Sequence, residues 1–241
     1  MRAFGADEAG RGPVLGPMVA AAVLAGLEHL PRGVADSKTL TAANREALAT
    51  TIAEDGRIAV GVSVVSPARI DDPDTDMNAL TVAAQADAID QVLDNDSEGN
   101  GDGSADTAAG GETSASIASS RPTGVVDACD VDPERFARRV RESLSVPADL
   151  RAEHRADENC PIVAAASVLA KVERDERVAN LGEEYREHGP VGSGYPSDRR
   201  TREFLQEYVR ANGELPACAR ACWKTSRDVL QAASQSALGE F

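Results

Sequence analysis

The sequence is poor in lysine and aromatic residues and has no long apolar run. Only three of its 25 basic residues are lysines, and only eight residues are Phe, Tyr or Trp. No apolar stretch approaches the roughly 18 residues that a membrane-spanning helix needs. No secretory signal is recognisable at the start of the chain. We therefore expect a cytoplasmic protein.

The four cysteines are also too scattered to form a recognisable site. They are Cys129, Cys160, Cys218 and Cys222, and none forms a Cys-x-x-Cys pair. This spacing lacks the pattern of a disulfide framework and of a structural zinc site. We interpret all four as reduced thiols.

Acidic residues are abundant, with 40 Asp and Glu against 25 Lys and Arg and a net charge of −15. Such a balance ordinarily argues against a nucleic-acid partner. Two interpretations compete: an acidic surface adapted to a very salty cytoplasm, and a surface that binds cations or basic partners. We favour the first. At about 1 M salt the Debye length falls to about 3 Å, so surface acids no longer repel phosphate at a distance.

Hydrophobic periodicity predicts strands in the first half and helices in the last third, hence an α/β sheet with a helical C-terminal part at residues 200–234. The predicted strands cover residues 2–7, 14–24, 57–65, 124–127 and 146–152. The predicted helices cover residues 42–53, 78–93, 133–144, 161–184, 200–211 and 225–233. No internal repeat is present.

Residues 94–120 break this pattern. They contain six acids, no basic residue and one large apolar side chain, Ile117. Such a segment cannot bury enough apolar surface to offset the entropy lost on ordering. We predict a disordered acidic insertion within a catalytic domain spanning residues 1–199.

Carboxylates follow two predicted strands and precede one helix. Asp7 and Glu8 end the first strand, Asp127 ends a later one, and Asp157 lies just before the long helix. Acids at these positions can converge at one sheet edge, where several carboxylates cannot all stay ionised without a cation. Mg²⁺ and Mn²⁺ prefer such oxygen ligands. In so acidic a chain, an acid at a strand end is more often a cap or a surface charge.

Several sequence motifs resemble those of the ribonuclease HII family, and in particular those of its archaeal members. Asp-Glu-Ala-Gly-Arg-Gly-Pro at residues 7–13 is followed by Gly-Pro-Met at 16–18. Further matching stretches occur in the family's order at residues 36–40, 126–131, 154–157, 164–172 and 192–198, with a looser match near 223–225. The resemblance covers nearly the whole chain except residues 94–120.

This resemblance implies an RNase H-like mixed sheet flanked by helices and a reaction that uses two divalent ions, Mg²⁺ or Mn²⁺. Asp7 would bridge the ions, Glu8 and Asp127 would ligate them, and Asp157 would complete the site near the attacking water. Asp130 is the alternative to Asp127, and Glu158 is the alternative to Asp157. Their other expected roles are to cap a helix and to favour a helix dipole.

The resemblance also implies the substrate contacts. Gly10, Arg11 and Gly12 would contact the 2′-hydroxyl that distinguishes RNA from DNA, and Tyr195 would stack on the adjacent sugar. A simple tight turn and a core tyrosine are the alternatives. Phosphate contacts are predicted from residues on one helical stripe and from a lysine in a family-like motif, namely Ser167, Lys171, Arg174 and Lys38. The stripe is equally typical of a solvated helix face.

The last seven residues fit the pattern Gln-x-x-Leu-x-x-Phe, at Gln235, Leu238 and Phe241. This pattern resembles the peptide that docks on the DNA sliding clamp, in which Leu and Phe fill an apolar pocket. The usual second aromatic residue is missing, and a frayed tail is the alternative.

The sequence therefore predicts a monomeric endonuclease that cuts the RNA strand of RNA–DNA hybrids and cuts at ribonucleotides embedded in duplex DNA. The expected products carry 5′-phosphate and 3′-hydroxyl ends. Two other hypotheses are a junction resolvase or integrase-like nuclease and a clamp-tethered binding module without catalysis. The Gly-Arg-Gly and Tyr195 loops argue against the first. The complete set of four carboxylates argues against the second, and the extra N-terminal domain usual in the HIII type is not found here.

Overall fold

The computed structural model describes residues 2–34, 40–99 and 121–238, with side chains in residues 2–34, 40–95 and 121–235. A five-stranded sheet forms its centre. The strands are β1 (Arg2–Ala9), β2 (Met18–Gly26), β3 (Ala59–Val65), β4 (Thr123–Asp127) and β5 (Asp149–Glu153). Their order is β3-β2-β1-β4-β5. β1 is antiparallel to β2 and parallel to β4, so the sheet is mixed, as predicted.

Eight helices surround or extend this sheet in the described part of the chain. They are α1 (Ala42–Glu54), α2 (Pro67–Ile70), α3 (Met77–Gly99), α4 (Pro133–Ser143), α5 (Ala156–Asn159), α6 (Pro161–Glu184), α7 (Arg199–Asn212) and α8 (Lys224–Leu238). Thr41 caps α1 by accepting a hydrogen bond from Asn44 N, and Asp132 caps α4 by accepting one from Arg135 N. These caps satisfy main-chain donors that the first helical turn leaves free.

The sheet is covered on both faces. α3 and α4 pack on one face with Phe4, Val126 and Phe136, and α1 and α6 pack on the other with Val23 and Ile162. Every residue of β2 is buried, which explains its continuous apolar sequence. At Gly5 the backbone of α6 comes so close that an added Cβ would lie 2.7 Å from Val163 N. This contact sets α6 directly against the middle of β1.

The C-terminal helices form a separate apolar cluster. Phe204 and Leu205 of α7 and Val229 of α8 pack against Val14 and Leu15, which precede β2. Main-chain hydrogen bonds join Val14 and Leu15 to Gly194 and join Gly16 to Cys218. The helical part is thereby attached to the loop between β1 and β2, next to the ends of those strands.

Several predicted boundaries were wrong. β5 begins at Asp149 rather than at residue 146, and α8 continues to Leu238 rather than ending at residue 233. β2 begins at Met18 rather than at residue 14, because Val14 and Leu15 bond to the C-terminal part instead of to the sheet. α3 continues to Gly99, six residues into the predicted insertion. Extending an existing helix adds a hydrogen bond per residue and avoids the cost of nucleation. Residues 100–120 lie outside the described part. Among the described helices, none has the length and apolarity of a membrane span.

Candidate active site

Asp7 lies in β1, where it pairs with Ala21 of β2, and its side chain is buried. Its Oδ1 accepts a hydrogen bond from Glu8 N at 2.7 Å. Burial raises the pKa of the Asp7 carboxyl well above its usual range, and the nearby charge of Asp127 raises it further. The Ser167 side chain and the Lys171 ammonium lower the same pKa less strongly. An anionic Asp7 therefore lacks sufficient compensation from the protein.

Glu8 is the second buried acid of this strand end. Its Oε2 accepts a hydrogen bond from Gln85 Nε2 at 2.6 Å, and its Oε1 lies 3.9 Å from the Arg11 guanidinium. Burial, and then the charge of Asp7, raise the pKa of the Glu8 carboxyl. Two adjacent carboxylates thus meet at the end of β1, where both favour the protonated form.

Asp127 and Asp157 join this edge from β4 and α5. Asp127 Oδ1 accepts a hydrogen bond from Ala156 N at 2.6 Å, which fixes the start of α5 beside the end of β4. Asp157 follows directly, is buried, and lies 3.9 Å from Lys171 Nζ. Lys171 also donates to Ser167 Oγ at 2.7 Å. All four predicted acids are therefore at one edge of the sheet.

The donor set has the chemistry that Mg²⁺ and Mn²⁺ prefer, since it consists of carboxylate oxygens. Among the described residues, however, no group of three His, Cys, Asp or Glu side chains is arranged to hold a metal ion as it stands. Asp7, Glu8 and Asp127 each accept a hydrogen bond from the protein that sets their orientation. The residues fit a divalent cation by type, burial and electrostatic need.

The two alternative acids point elsewhere. Asp130 is buried but pairs with the Arg135 guanidinium, which holds its pKa below the usual range, and it accepts a bond from Asp132 N. Glu158 is exposed and pairs with Arg155 at 2.8 Å. Asp127 and Asp157, rather than Asp130 and Glu158, lie with Asp7 and Glu8.

The predicted Gly10-Arg11-Gly12 loop lies directly after β1. Gly10 has φ +89°, and an added Cβ there would lie 2.8 Å from Pro17 O. Arg11 donates to Asn78 Oδ1 at 2.7 Å, while Gly12 lies opposite the Tyr195 ring, 3.7 Å from an added Cβ. The predicted tight turn is present, and it lies between the acidic edge of the sheet and Tyr195.

Tyr195 is 39% exposed, so it is not a core residue. The Arg174 guanidinium lies 4.9 Å from its ring centroid and donates to Ser193 O at 2.6 Å. Ser167 and Arg174 are both buried, which excludes a solvated face for the predicted stripe. In this structure Ser167 and Arg174 contact protein groups, and Lys171 is the partly exposed member of the stripe.

Three other predicted contacts cannot be located from the described residues. Lys38 and Phe241 lie outside them, as does the side chain of Leu238. Gln235 is described and is exposed on α8.

Comparison with known proteins identifies the family of the chain. The profile of the family described as Ribonuclease HII matches residues 4–100 and 115–226. The chain belongs to the ribonuclease HII family. A ribonuclease HII of Halobacterium salinarum is 50% identical over 241 residues, which cover 100% of both chains.

Two solved structures extend this ribonuclease HII assignment to the fold. The ribonuclease H2 from Pyrococcus horikoshii matches with a TM-score of 0.78 and 34% identity, over 98% of this chain and 100% of that one. A chain in the PCNA:RNase HII complex from Archaeoglobus fulgidus matches with a TM-score of 0.74 and 35% identity, over 93% and 96%. The predicted family and fold are confirmed, and the chain is an endoribonuclease of the type that acts on RNA–DNA hybrids.

Three residues of this ribonuclease HII site were missed from the sequence. Gln85 was hidden because it lies on the buried face of α3, where its amide contacts Glu8. The available signal was its spacing, because Thr81, Gln85 and Ile89 are four residues apart and share one face of the helix. Arg220 and Trp223 contact the Gly10–Gly12 loop from more than 200 positions away, and no local pattern indicates that contact.

Proposed function

We propose that the chain hydrolyses the RNA strand of RNA–DNA hybrids and also cuts at single ribonucleotides embedded in duplex DNA, with two divalent cations. The products would carry 5′-phosphate and 3′-hydroxyl ends. The observation that supports this most directly is the burial of Asp7 and Glu8 side by side near Asp127, with the pKa of both raised by burial. A bound cation would offset that concentration of negative charge.

The proposed ligands are Asp7, Glu8, Asp127 and Asp157. When bound, Mg²⁺ or Mn²⁺ would lower the pKa of an attacking water and stabilise charge on the phosphodiester. The chain's own contribution is orientation. The Gln85 amide and the Ala156 N–H direct the Glu8 and Asp127 carboxylates, and Lys171 balances the charge of Asp157.

Recognition of the ribonucleotide is assigned to the two loops beside the acids. The Gly10-Arg11-Gly12 turn lets main-chain groups approach a ligand closely, because glycine has no side chain to block them. The exposed ring of Tyr195 faces this turn and offers a flat apolar surface for a sugar. The 2′-hydroxyl is the group that separates an embedded ribonucleotide from its DNA neighbours.

The test compares three duplexes in molar KCl with Mg²⁺ or Mn²⁺. They are an RNA–DNA hybrid, a DNA duplex with one ribonucleotide, and the same duplex without it. High salt suits a chain that is 50% identical to the ribonuclease HII of Halobacterium salinarum, a halophilic archaeon. We expect cutting of the first two only. If only the hybrid is cut, the proposed activity on embedded ribonucleotides is excluded. If the all-DNA duplex is cut equally well, the proposed recognition of the ribonucleotide by the loops is excluded.

A sliding-clamp partner is a second proposal. Gln235 lies on α8, which runs to Leu238, so the first part of the Gln-x-x-Leu-x-x-Phe pattern is helical. The Archaeoglobus fulgidus relative was solved as a PCNA:RNase HII complex. A pulldown with the clamp compares the full chain with one that ends at Ser234. Loss of retention in the shortened chain is expected, and equal retention excludes the tail as the contact.

A further inference from the structure

A buried guanidinium lies behind the Gly10–Gly12 loop. Arg220 precedes α8 and is fully buried. Its Nη2 donates to Gly10 O at 2.6 Å, its Nη1 to Arg11 O at 3.0 Å, and its Nε to Gly16 O at 3.0 Å. Among the described residues it forms no ion pair, so main-chain carbonyls are its partners. A single side chain thus contacts both the Gly10–Gly12 loop and Gly16, two residues before β2.

Trp223 completes this support. The Arg220 guanidinium lies 4.9 Å from the centroid of the indole ring. The indole Nε1 donates to Gly12 O at 3.1 Å. Ser226 Oγ in turn donates to Arg220 O at 2.8 Å, which anchors the segment to α8. Three consecutive carbonyls, those of Gly10, Arg11 and Gly12, are therefore all taken by Arg220 and Trp223.

The direction of these carbonyls determines where the loop's donors point. In a trans peptide the C=O and the following N–H point in opposite directions, and the described part of the chain contains no cis peptide. Because the carbonyls of Gly10 and Arg11 point towards Arg220, the N–H groups of Arg11 and Gly12 point away from it. In the described part of the chain, neither N–H donates to another main-chain group.

We propose that Arg220 is a positioning residue for ribonucleotide recognition, which fixes the loop carbonyls so that the Arg11 and Gly12 N–H groups face the substrate. Arg220 itself does not reach the substrate, because it is fully buried. This inference rests on the proposed function, since it requires that the loop contacts the ribonucleotide. Arg220 then links the C-terminal helical part to the selectivity of the active site.

The test measures discrimination during turnover. The KM of a duplex with one ribonucleotide is compared with the inhibition constant of the identical all-DNA duplex used as a competitor. The full chain is compared with Arg220→Lys, which keeps the charge but cannot span three carbonyls. Arg227→Lys on the exposed side of α8 is the matched control. Discrimination is the inhibition constant of the all-DNA duplex divided by the KM of the ribonucleotide duplex. We expect this ratio to fall about tenfold in Arg220→Lys, the loss typical of one or two hydrogen bonds, and to stay unchanged in Arg227→Lys.

Folding is checked by thermal unfolding, and the carboxylate site is checked by the rise in midpoint on adding Mn²⁺. An Arg220→Lys variant that folds, responds to Mn²⁺ and keeps the wild-type ratio overturns the assignment. If that variant does not unfold cooperatively, Trp223→Phe decides instead, because it keeps a ring over the guanidinium and loses only the N–H. We expect its ratio to fall about threefold, and an unchanged ratio is again contradictory. A wild-type chain without discrimination overturns the proposed recognition itself, which separates the two failures.

Discussion

The Gln85 side-chain amide donates a hydrogen bond to the Glu8 carboxylate across 2.6 Å, although 77 positions separate the two residues. The same Nε2 donates to Asp127 O at 3.2 Å. Gln85 is fully buried, so neither bond is exposed to competing water. One amide from α3 therefore ties together the ends of β1 and β4, the two strands that carry Asp7, Glu8 and Asp127.

Replacing this amide should weaken metal use. In Gln85→Leu, Glu8 loses a donor that favours its charged form, so its pKa rises further and protons compete better with a cation. We expect the Mn²⁺ concentration for half-maximal cleavage to rise by about tenfold, the usual effect of removing a group that orients a metal ligand. A metal titration of the cleavage rate measures it.

Gln91→Leu is the matched control, because Gln91 lies on the same helix but bonds to the main chain of Val62. It should lower the unfolding midpoint without changing the metal titration. An identical shift in metal dependence for both variants would show that Gln85 acts through general stability alone.

Asp7→Asn should stabilise the metal-free protein at neutral and alkaline pH. Because the pKa of Asp7 is raised in the folded state, the folded chain holds a proton that the unfolded chain has released above about pH 4. Folding stability must then decline as pH rises from there towards the raised pKa. The Asn variant lacks this decline, and its unfolding midpoint should exceed that of the wild type by several degrees.

The measurement is thermal unfolding with a chelator, from acidic to alkaline pH in molar KCl. Adding Mn²⁺ should reverse the order, because the cation stabilises the ionised wild type and not the variant. Parallel pH curves for the two chains would contradict the assigned burial cost of Asp7.

Adjacent acids in α5 offer a direct contrast between a site residue and a surface residue. Asp157 is buried beside Lys171, and Glu158 is exposed and pairs with Arg155. We expect Asp157→Asn to lower kcat by about 100-fold. The variant loses a proposed ligand to the cation, which stabilises the transition state by several kcal/mol. Glu158→Gln should stay within about twofold, as surface pairs contribute little. If single-turnover assays show equal losses of cleavage rate in the two variants, Asp157 is not distinguished from Glu158 as a site residue.

Gly10→Ala tests how tightly the loop is confined. The positive φ costs a non-glycine residue about 1–2 kcal/mol, and the new Cβ would lie 2.8 Å from Pro17 O. Gly33→Ala has a similar φ of +92° but meets no described atom within 4 Å. We expect both variants to lose stability in urea unfolding and Gly10→Ala alone to lose cleavage of the single-ribonucleotide duplex. Full activity in Gly10→Ala would show that the loop tolerates displacement.

Much of this site follows from local sequence. Asp7 and Asp127 end apolar runs that were recognisable as strands, and parallel pairing of β1 with β4 brings such ends together. The helix at Pro161–Glu184 was predicted at its observed bounds, because its proline start and apolar spacing are local signals. The shared position of these acids at one sheet edge could therefore be predicted before the fold was known.

Other features depend on tertiary contacts that no local pattern records. Val14 and Leu15 look like the start of a strand but bond to Gly194 and pack on α7. Ser167 and Arg174 share a polar stripe that is typical of a solvated face, yet both are buried by neighbouring loops and strands. In each case the partner lies far away in sequence, so the environment could not be inferred from spacing alone.

Together, these carboxylates and loops are expected to cut a strand at a ribonucleotide. The most direct measurement uses an end-labelled DNA duplex with one embedded ribonucleotide and maps the cut at single-nucleotide resolution, with Asp7→Asn alongside. We predict one metal-dependent cut at the ribonucleotide by the wild type, with a 3′-hydroxyl and a 5′-phosphate, and none by the variant. Cutting by Asp7→Asn at the wild-type rate would contradict the role of Asp7 in the site, and cuts spread along the DNA would contradict recognition of the ribonucleotide.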